Sequence, residues 1–244
     1  MKCKLCGDNK ILLKKSHIVS EFMYKDLFDQ KHRIHEVLFQ HINQIKSKMR
    51  QSGAYDTNIL CGDCDNKVLG SLERYASLVL YGGIELTIEN STDRNKSRYV
   101  RVNGIDYRMF KLFLLSILWR ASISTLPIFK NVNLGIHEQV IRHKILNNNP
   151  GSAAEYPCAI FTHLHNHNIP YEIIAEPGVI INGEQQIYAF LISGNLFVFF
   201  TATDIKTEWV QDCTIRENGG MKIIQMSDKL SKKAINKLLG IDLL

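Results

Sequence analysis

The sequence has no hydrophobic run long enough to cross a bilayer. Its longest apolar stretch, FKLFLLSILW (110–119), contains Lys111 and is followed by Arg120, whereas a spanning helix needs about 20 predominantly apolar residues. This stretch predicts a buried helix instead. The first residues, MKCKLCGDNK, also lack the apolar segment of a secretory signal. We therefore expect a cytoplasmic protein without a membrane partner, in a compartment where thiols stay reduced.

The chain also lacks the motifs of several common enzyme classes. It contains no GxxxxGKS or GxxxxGKT loop, no GxGxxG loop and no GxSxG elbow, which argues against nucleotide-dependent and esterase chemistries. Internal repeats and low-complexity tracts are absent as well. The composition is 45% hydrophobic and 22% charged, as in an ordinary globular protein with ample material for a core.

Positive charge is in excess and is unevenly spread. The formal net charge is +6, and basic residues gather in three clusters: Lys10, Lys14 and Lys15; Lys46, Lys48 and Arg50; and Arg94, Lys96, Arg98 and Arg101. Such clusters are typical of proteins that bind a polyanion such as nucleic acid. Solvated loops explain the charge pattern equally well.

Four of the six cysteines form two CxxC pairs, Cys3 with Cys6 and Cys61 with Cys64. A CxxC turn directs two thiolates at one metal ion, and two such turns complete a tetrahedral zinc shell. A redox dithiol is the alternative, but that motif usually occurs once, near a βαβ pattern that we do not find here. The spacing therefore predicts structural zinc, with Cys158 and Cys213 as core residues.

The apolar pattern predicts an α+β fold in three parts. They are a zinc-bound domain (1–90), a helical region (91–150) and an antiparallel β-rich C-terminal domain (151–244), with NNNPGS (147–152) as the boundary. Predicted helices cover about 20–30, 65–83, 105–123, 135–146 and 228–240. Predicted strands cover 10–15, 32–42, 98–103, 156–163, 171–177, 186–193 and 196–202, with a hairpin turn at 193–195 and an exposed loop after residue 42.

The order of motifs in residues 3–75 resembles the HNH endonuclease superfamily, in its zinc-stapled branch. The resemblance consists of CxxC, then SHIVSEF (16–22), a loop with Gly53 and Asn58, and ILCGDCDNKVLG (59–70) opening a helix. It implies a ββα-metal unit at the N-terminus. A helix like LSILWRAS (115–122) also occurs in uncharacterised bacterial proteins, without a function attached; Trp119 and Arg120 there are interpreted as packing residues, with Arg120 capping or pairing.

The resemblance implies a role for three residues. His17 matches the general base that activates water, Asn58 the asparagine that orients this histidine, and Asp65 the ligand of the catalytic metal. Phosphodiester hydrolysis needs a base that works near neutral pH, which imidazole provides, and a divalent cation at the scissile phosphate. A carboxylate is a suitable ligand for Mg²⁺ or Mn²⁺.

The chain departs from the family pattern at three positions. Ser16 stands where many members carry an acidic metal ligand, Ser20 replaces a common proline, and Asp65 replaces a histidine or asparagine. Glu21 or Glu73 could supply the missing acid, although a surface position is the simpler interpretation of each.

Two groups of histidines are further candidates. His32, His35 and His41 could contact phosphate or metal, or be plainly exposed. The HLHNH segment places His163, His165 and His167 two residues apart, as on one face of a strand, which would suit a second metal site. No cysteine or carboxylate is adjacent, however, and Asn166 and Asn168 favour a polar loop.

Two functions are therefore predicted from the sequence. The first is a metal-dependent HNH-type endonuclease acting on nucleic acid, DNA rather than RNA, in a phage-defence or restriction setting known only by analogy. The second is a zinc-stapled module that binds nucleic acid or protein and has lost catalysis. In the endonuclease interpretation the C-terminal region would supply target recognition, partner binding or regulation. A protein partner or self-association through this region is also expected.

Overall fold

A computed structural model describes residues 1–41, 44–92, 97–163, 176–182, 185–202, 204, 208–227 and 229. The chain combines helices with a seven-stranded, mostly antiparallel sheet, which confirms the α+β prediction. Two further small antiparallel sheets lie in the N-terminal part. None of the helices in the described part of the chain has the length and apolarity needed to cross a membrane.

The N-terminal part is built around two strands of two residues each. Strands β1 (Ser16–His17) and β4 (Tyr55–Asp56) pair antiparallel. Between them lie a 3₁₀ helix (Glu21–Leu27) and a hairpin of β2 (Ile34–His41) and β3 (Gln44–Arg50).

Three expectations for this part are corrected. The exposed loop expected after residue 42 is strand β3, because its backbone pairs with β2 from Ile34 opposite Arg50 to His41 opposite Gln44. Its polar composition hid that pairing. The strand expected at 10–15 is reduced to an isolated bridge between Leu12 and Cys61. The helix expected over 20–30 is the shorter 3₁₀ helix.

The helical elements surround one buried helix. A π-helical segment (Asp63–Leu69) continues into α1 (Gly70–Tyr81), which ends at Gly82, where the positive φ of 85° suits glycine. Helix α2 (Tyr107–Ile123) is capped by Asp106, whose carboxylate accepts from the Met109 N–H at 2.9 Å. It is buried along most of its length. A 3₁₀ turn (Pro127–Phe129) and α3 (His137–Leu146) follow. The expected helices at 105–123 and 135–146 are thus confirmed.

The large sheet takes strands from both sides of the expected boundary at 147–152. Its strand order is β5–β6–β11–β7–β10–β9–β8. The strands are β5 (Thr87–Thr92), β6 (Arg98–Asn103), β7 (Cys158–His163), β8 (Gly178–Asn182), β9 (Gln185–Ile192), β10 (Asn195–Phe200) and β11 (Met221–Met226).

One pair in this sheet, β7 with β11, is parallel, whereas only antiparallel pairing was expected. The parallel pair arises because the chain passes through α4 (Glu208–Cys213), which contacts both strands, before β11 begins. The hairpin turn at 193–195 is confirmed by the antiparallel pairing of β9 and β10. The strand predicted at 171–177 lies outside the described residues except for 176 and 177. The helix predicted at 228–240 lies outside them except for residue 229.

Candidate metal centre and the His17 site

The four CxxC cysteines converge at one point. Their sulfur atoms all lie within 4.8 Å of one another, and Cys3, Cys61 and Cys64 are buried. In tetrahedral zinc coordination, with Zn–S bonds of about 2.3 Å, sulfurs are about 3.8 Å apart. The four-cysteine cluster could therefore hold a metal ion, as expected for structural zinc.

Backbone contacts bring the two turns together although residues 7–60 separate them. The Lys4 N–H donates to the Ile59 carbonyl at 2.9 Å, and the Leu13 N–H donates to the Leu60 carbonyl at 2.8 Å. The Cys61 N–H donates to the Cys3 sulfur at 3.3 Å. These hydrogen bonds between the first residues and residues 59–61 thus hold the two cysteine pairs next to each other.

The pKa values of Cys3 and Cys64 are shifted in opposite directions. Burial favours the neutral thiol of Cys3, but N–H donors from Cys6, Cys61 and Leu5 outweigh it and lower the pKa of Cys3 to about 7. Burial and the neighbouring sulfurs raise the pKa of Cys64 well above its ordinary value. A cation bound among them would favour the thiolate of every cysteine, which is the form that ligates zinc.

His17 lies on β1, opposite Tyr55 of β4. Its Nε2 atom is 2.6 Å from a carboxylate oxygen of Glu21, the first residue of the 3₁₀ helix, four residues further along the chain. Both atoms are buried, and their alignment falls short of a hydrogen bond, so the contact is a close polar pair. Glu21, for which the sequence suggested a surface position or the role of a substitute metal ligand, is thus the immediate partner of the imidazole.

Arg120 connects His17 to the helices. Its side chain is 1% exposed, and its guanidinium donates to the His17 carbonyl at 2.9 Å, to Glu73 Oε1 at 2.6 Å and to Ser20 Oγ at 3.1 Å. The Ser20 hydroxyl in turn donates to Glu73 at 2.8 Å. Arg120 therefore fixes β1, the residue before the 3₁₀ helix and α1 relative to one another. The pairing role expected for Arg120 is confirmed, with Glu73 as the partner.

Asp65, on the π-helical segment, is half-buried beside this group. Burial raises its pKa and the charge of Glu73 adds to the rise, while Arg120, Ser16 and His17 oppose it. The Ser16 hydroxyl is close enough to Asp65 to lower that pKa, but it does not complete a well-aligned hydrogen bond. The fold thus brings Asp65 into electrostatic reach of His17. We call His17, Glu21, Asp65, Glu73 and Arg120 the His17 site.

Asn58 occupies a different position. It is exposed, with a positive φ of 57°, and its backbone N–H donates to the Leu13 carbonyl at 3.0 Å. Among the described contacts, none joins its side chain to His17. Its role in orienting the histidine stays a prediction.

Asp56 anchors the strand that pairs with His17, a role that no sequence pattern indicated. Its carboxylate accepts from the Thr125 N–H at 2.6 Å, the Thr57 N–H at 2.7 Å and the Ser124 hydroxyl at 3.2 Å. Burial would raise the pKa of Asp56, but these hydrogen bonds outweigh it and lower that pKa. The anchor lies two residues before Asn58 and joins β4 to the end of α2.

Of the remaining candidates, His32, His35, His41 and His163 lie outside the strand that carries His17. His32 stacks on Phe28, with ring centroids 3.8 Å apart. His35 and His41 are on β2, and His163 ends β7. His165 and His167 lie outside the described residues. Within the described ranges, the four cysteines are the sole group of three or more metal-binding side chains with ligand atoms this close together.

Comparison with known proteins adds no family assignment. No protein-family model matches the chain, and neither the curated proteins nor the solved structures include a match.

Proposed function

We propose that the chain is a metal-dependent endonuclease of the HNH type, which hydrolyses phosphodiester bonds in nucleic acid, with DNA preferred over RNA. The observation that supports this most is the arrangement around His17. A short antiparallel pair, β1 and β4, precedes a helix, and this arrangement brings His17 and Asp65 together beside the four-cysteine cluster. This is the order of parts that the HNH resemblance implies.

In this proposal His17 accepts the proton of the attacking water, and Glu21 holds the imidazole through Nε2. An imidazole whose Nε2–H faces a carboxylate presents Nδ1 as the free acceptor. Arg120 fixes the backbone at His17, so the base is positioned by the buried helix α2. Asn58 keeps its predicted role only if its exposed side chain turns toward the histidine.

Asp65 is the residue proposed to hold Mg²⁺ or Mn²⁺, and zinc is proposed for the four cysteines. The Asp65 carboxylate fits a hard cation because burial destabilises its negative charge and a bound cation would relieve that cost. When bound, such an ion supplies Lewis-acid stabilisation at the scissile phosphate.

Cleavage assays on duplex DNA, single-stranded DNA and RNA, with Mg²⁺ or Mn²⁺, test the proposal. We expect cleavage by the wild type and a loss of about 10²–10⁴-fold in His17→Ala, the usual contribution of a general base. His143→Ala is the matched control, since His143 is exposed on α3 and should retain full activity. Absence of cleavage on every substrate, or full activity in His17→Ala, would reject the enzyme proposal.

A second function, a binding module without catalysis, has its own supporting observation. Around His17 the described residues do not gather three ligand atoms as the cysteines do, and Ser16 stands at the position of the usual acid. Nucleic-acid binding that is unchanged in His17→Ala and Asp65→Ala, without cleavage, would favour this function.

We further infer a cytoplasmic location, with target recognition, a protein partner or self-association assigned to the C-terminal region. The location is supported by the cysteines, since none of the six forms a disulfide, as in reducing compartments. The phage-defence or restriction setting rests on analogy with the HNH family.

A further inference from the structure

A cavity of about 650 Å³ separates the N-terminal part from the large sheet. Its walls come from the 3₁₀ helix, the end of α1 and the face of the sheet formed by β6, β7, β10 and β11. Representative lining residues are Met23, Leu27, Val79, Val100, Ile160 and Met221. The lining residues Asp26, Tyr81 and Ile88 are solvent-exposed, so the cavity is open on one side and accessible to a ligand.

The size and lining of the cavity are those of a small-molecule site. Ligand pockets in proteins usually measure about 300–1,000 Å³ and have apolar walls with a few polar groups. The described polar lining residues are Asp26, Tyr81, Thr162, Ser193 and Asn195. The Ser193 hydroxyl already donates to the Met23 carbonyl, which ties the β9–β10 turn to the 3₁₀ helix and closes that side of the cavity.

Charge in the cavity has one sign. Asp26, a solvent-exposed residue at the edge of the cavity, is the only one of its described lining residues with an acidic or basic side chain. Its charge reaches Tyr81, whose pKa is raised by burial and further by Asp26. The exposed ammonium of Lys25 lies 5.8 Å from the centroid of the Tyr81 ring, but Lys25 is not among the lining residues. An anionic group beside an apolar cavity is complementary to a ligand with a cationic head and an apolar body.

We propose that this cavity binds a small amphiphilic molecule, with its cationic group at Asp26 and its apolar body between the 3₁₀ helix and the sheet. This gives the C-terminal sheet a binding role that does not depend on cleavage. The alternative occupants are neutral and anionic amphiphiles. They have the same apolar body and differ only in the head group that would lie next to Asp26.

Methionine NMR on the full chain tests the proposal directly. Of the six methionines, Met23 and Met221 line the cavity, while Met1, Met49 and Met226 do not. With ¹³C-methyl-methionine protein, we expect octylamine, added below its micelle concentration, to shift the Met23 and Met221 signals and leave these three unchanged. Hexylamine, which is two methylenes shorter, should bind about sixteenfold more weakly, since each buried methylene contributes about fourfold.

Comparison of head groups and variants completes the test. Octylamine should bind more tightly than octanol, and octanol more tightly than octanoate. Asp26→Asn should weaken octylamine binding about tenfold without affecting octanol, whereas Asp212→Asn, which removes an exposed carboxylate on α4, should affect neither. Val100→Phe should block all three ligands by filling the cavity.

Three results would overturn the proposal. The first is that the methyl signals of Met23 and Met221 stay unchanged up to the solubility limit of octylamine. The second is tighter binding of octanoate than of octylamine. The third is an equal shift of the signals of all six methionines, which would indicate general adsorption. Since the readout is binding, it is independent of whether the chain cleaves nucleic acid.

Discussion

The four-cysteine cluster and the His17 site lie side by side, but they are assembled in different ways. The cluster uses one ligand type from two local turns, and its four sulfurs are held by short backbone contacts. The His17 site draws on β1, the 3₁₀ helix, the π-helical segment, α1 and α2, and its central residue, Arg120, is far from His17 in sequence. A metal centre can thus be encoded by spacing alone, whereas a site of mixed charges depends on the tertiary fold.

Removing one cysteine ligand should have the largest effect and should break both sites. In Cys61→Ser we expect metal analysis to show zinc falling from one ion per chain to near zero. We also expect loss of cooperative unfolding, because structural zinc contributes folding free energy outright. Cys158→Ser is the control, since this buried cysteine lies in β7, away from the cluster. Equal zinc loss in both variants would contradict the assignment of the four ligands.

Removing Arg120 should separate the two sites. Arg120→Met leaves the Glu73 carboxylate without its buried partner, and breaking such a pair costs about 3–5 kcal/mol in the free energy of unfolding. Denaturant unfolding should show this loss while metal analysis shows zinc retained. Arg108→Met, at an exposed position of the same helix, should change stability by less than about 0.5 kcal/mol. Zinc loss in Arg120→Met would show that the sites are not separable.

Removing the Asp56 anchor should weaken the strand opposite His17 in a pH-dependent way. Because the pKa of Asp56 is lower in the folded state, its stabilisation is present above the unfolded pKa, near 3.9. It is lost as pH falls through the folded pKa. At pH 7, Asp56→Asn should cost about 1–3 kcal/mol, and its stability should fall less steeply below pH 4 than that of the wild type. Urea titrations between pH 2 and pH 7 measure both. Parallel curves for the two proteins would show that Asp56 is not the anchor.

Neutralising Glu21 should have the smallest effect and should be confined to the His17 site. In Glu21→Gln we expect cleavage to fall about tenfold, a part of the usual general-base contribution, with zinc and stability unchanged. The ¹⁵N signals of the His17 ring should also show a larger share of the Nδ1–H tautomer. Glu85→Gln, at an exposed position before β5, is the matched control. An unchanged tautomer in Glu21→Gln would remove the proposed positioning role, whatever the activity.

The sequence was most informative where local chemistry decides the structure. The CxxC spacing predicted the four-cysteine cluster, the apolar run around Lys111 predicted the buried helix α2, and Gly82 predicted the end of α1. Each of these signals is a short local pattern, because metal turns, helix periodicity and left-handed caps are local features; the cluster needs two such patterns, one on either side of residues 7–60.

The features that the sequence did not predict depend on long-range pairing. Strand β3 is rich in lysine and was expected to be a loop, and the parallel contact of β7 with β11 joins segments about sixty residues apart. Likewise, Asp56 and Glu21 become important only through Thr125 and His17. Register and ion-pair partners are set by tertiary contacts, which a single sequence does not display.

The 3₁₀ helix Glu21–Leu27 touches both the His17 site and the cavity. Glu21 contacts His17, while Met23, Asp26 and Leu27 line the cavity. A 3₁₀ helix of this length is unusual because its hydrogen bonds are poorly aligned, so side-chain contacts must hold it from both sides. A cavity ligand that shifts this helix on binding would therefore also move Glu21 relative to the imidazole and change the binding affinity at His17. By thermodynamic reciprocity, a ligand bound at His17 would change the affinity of the cavity by the same factor.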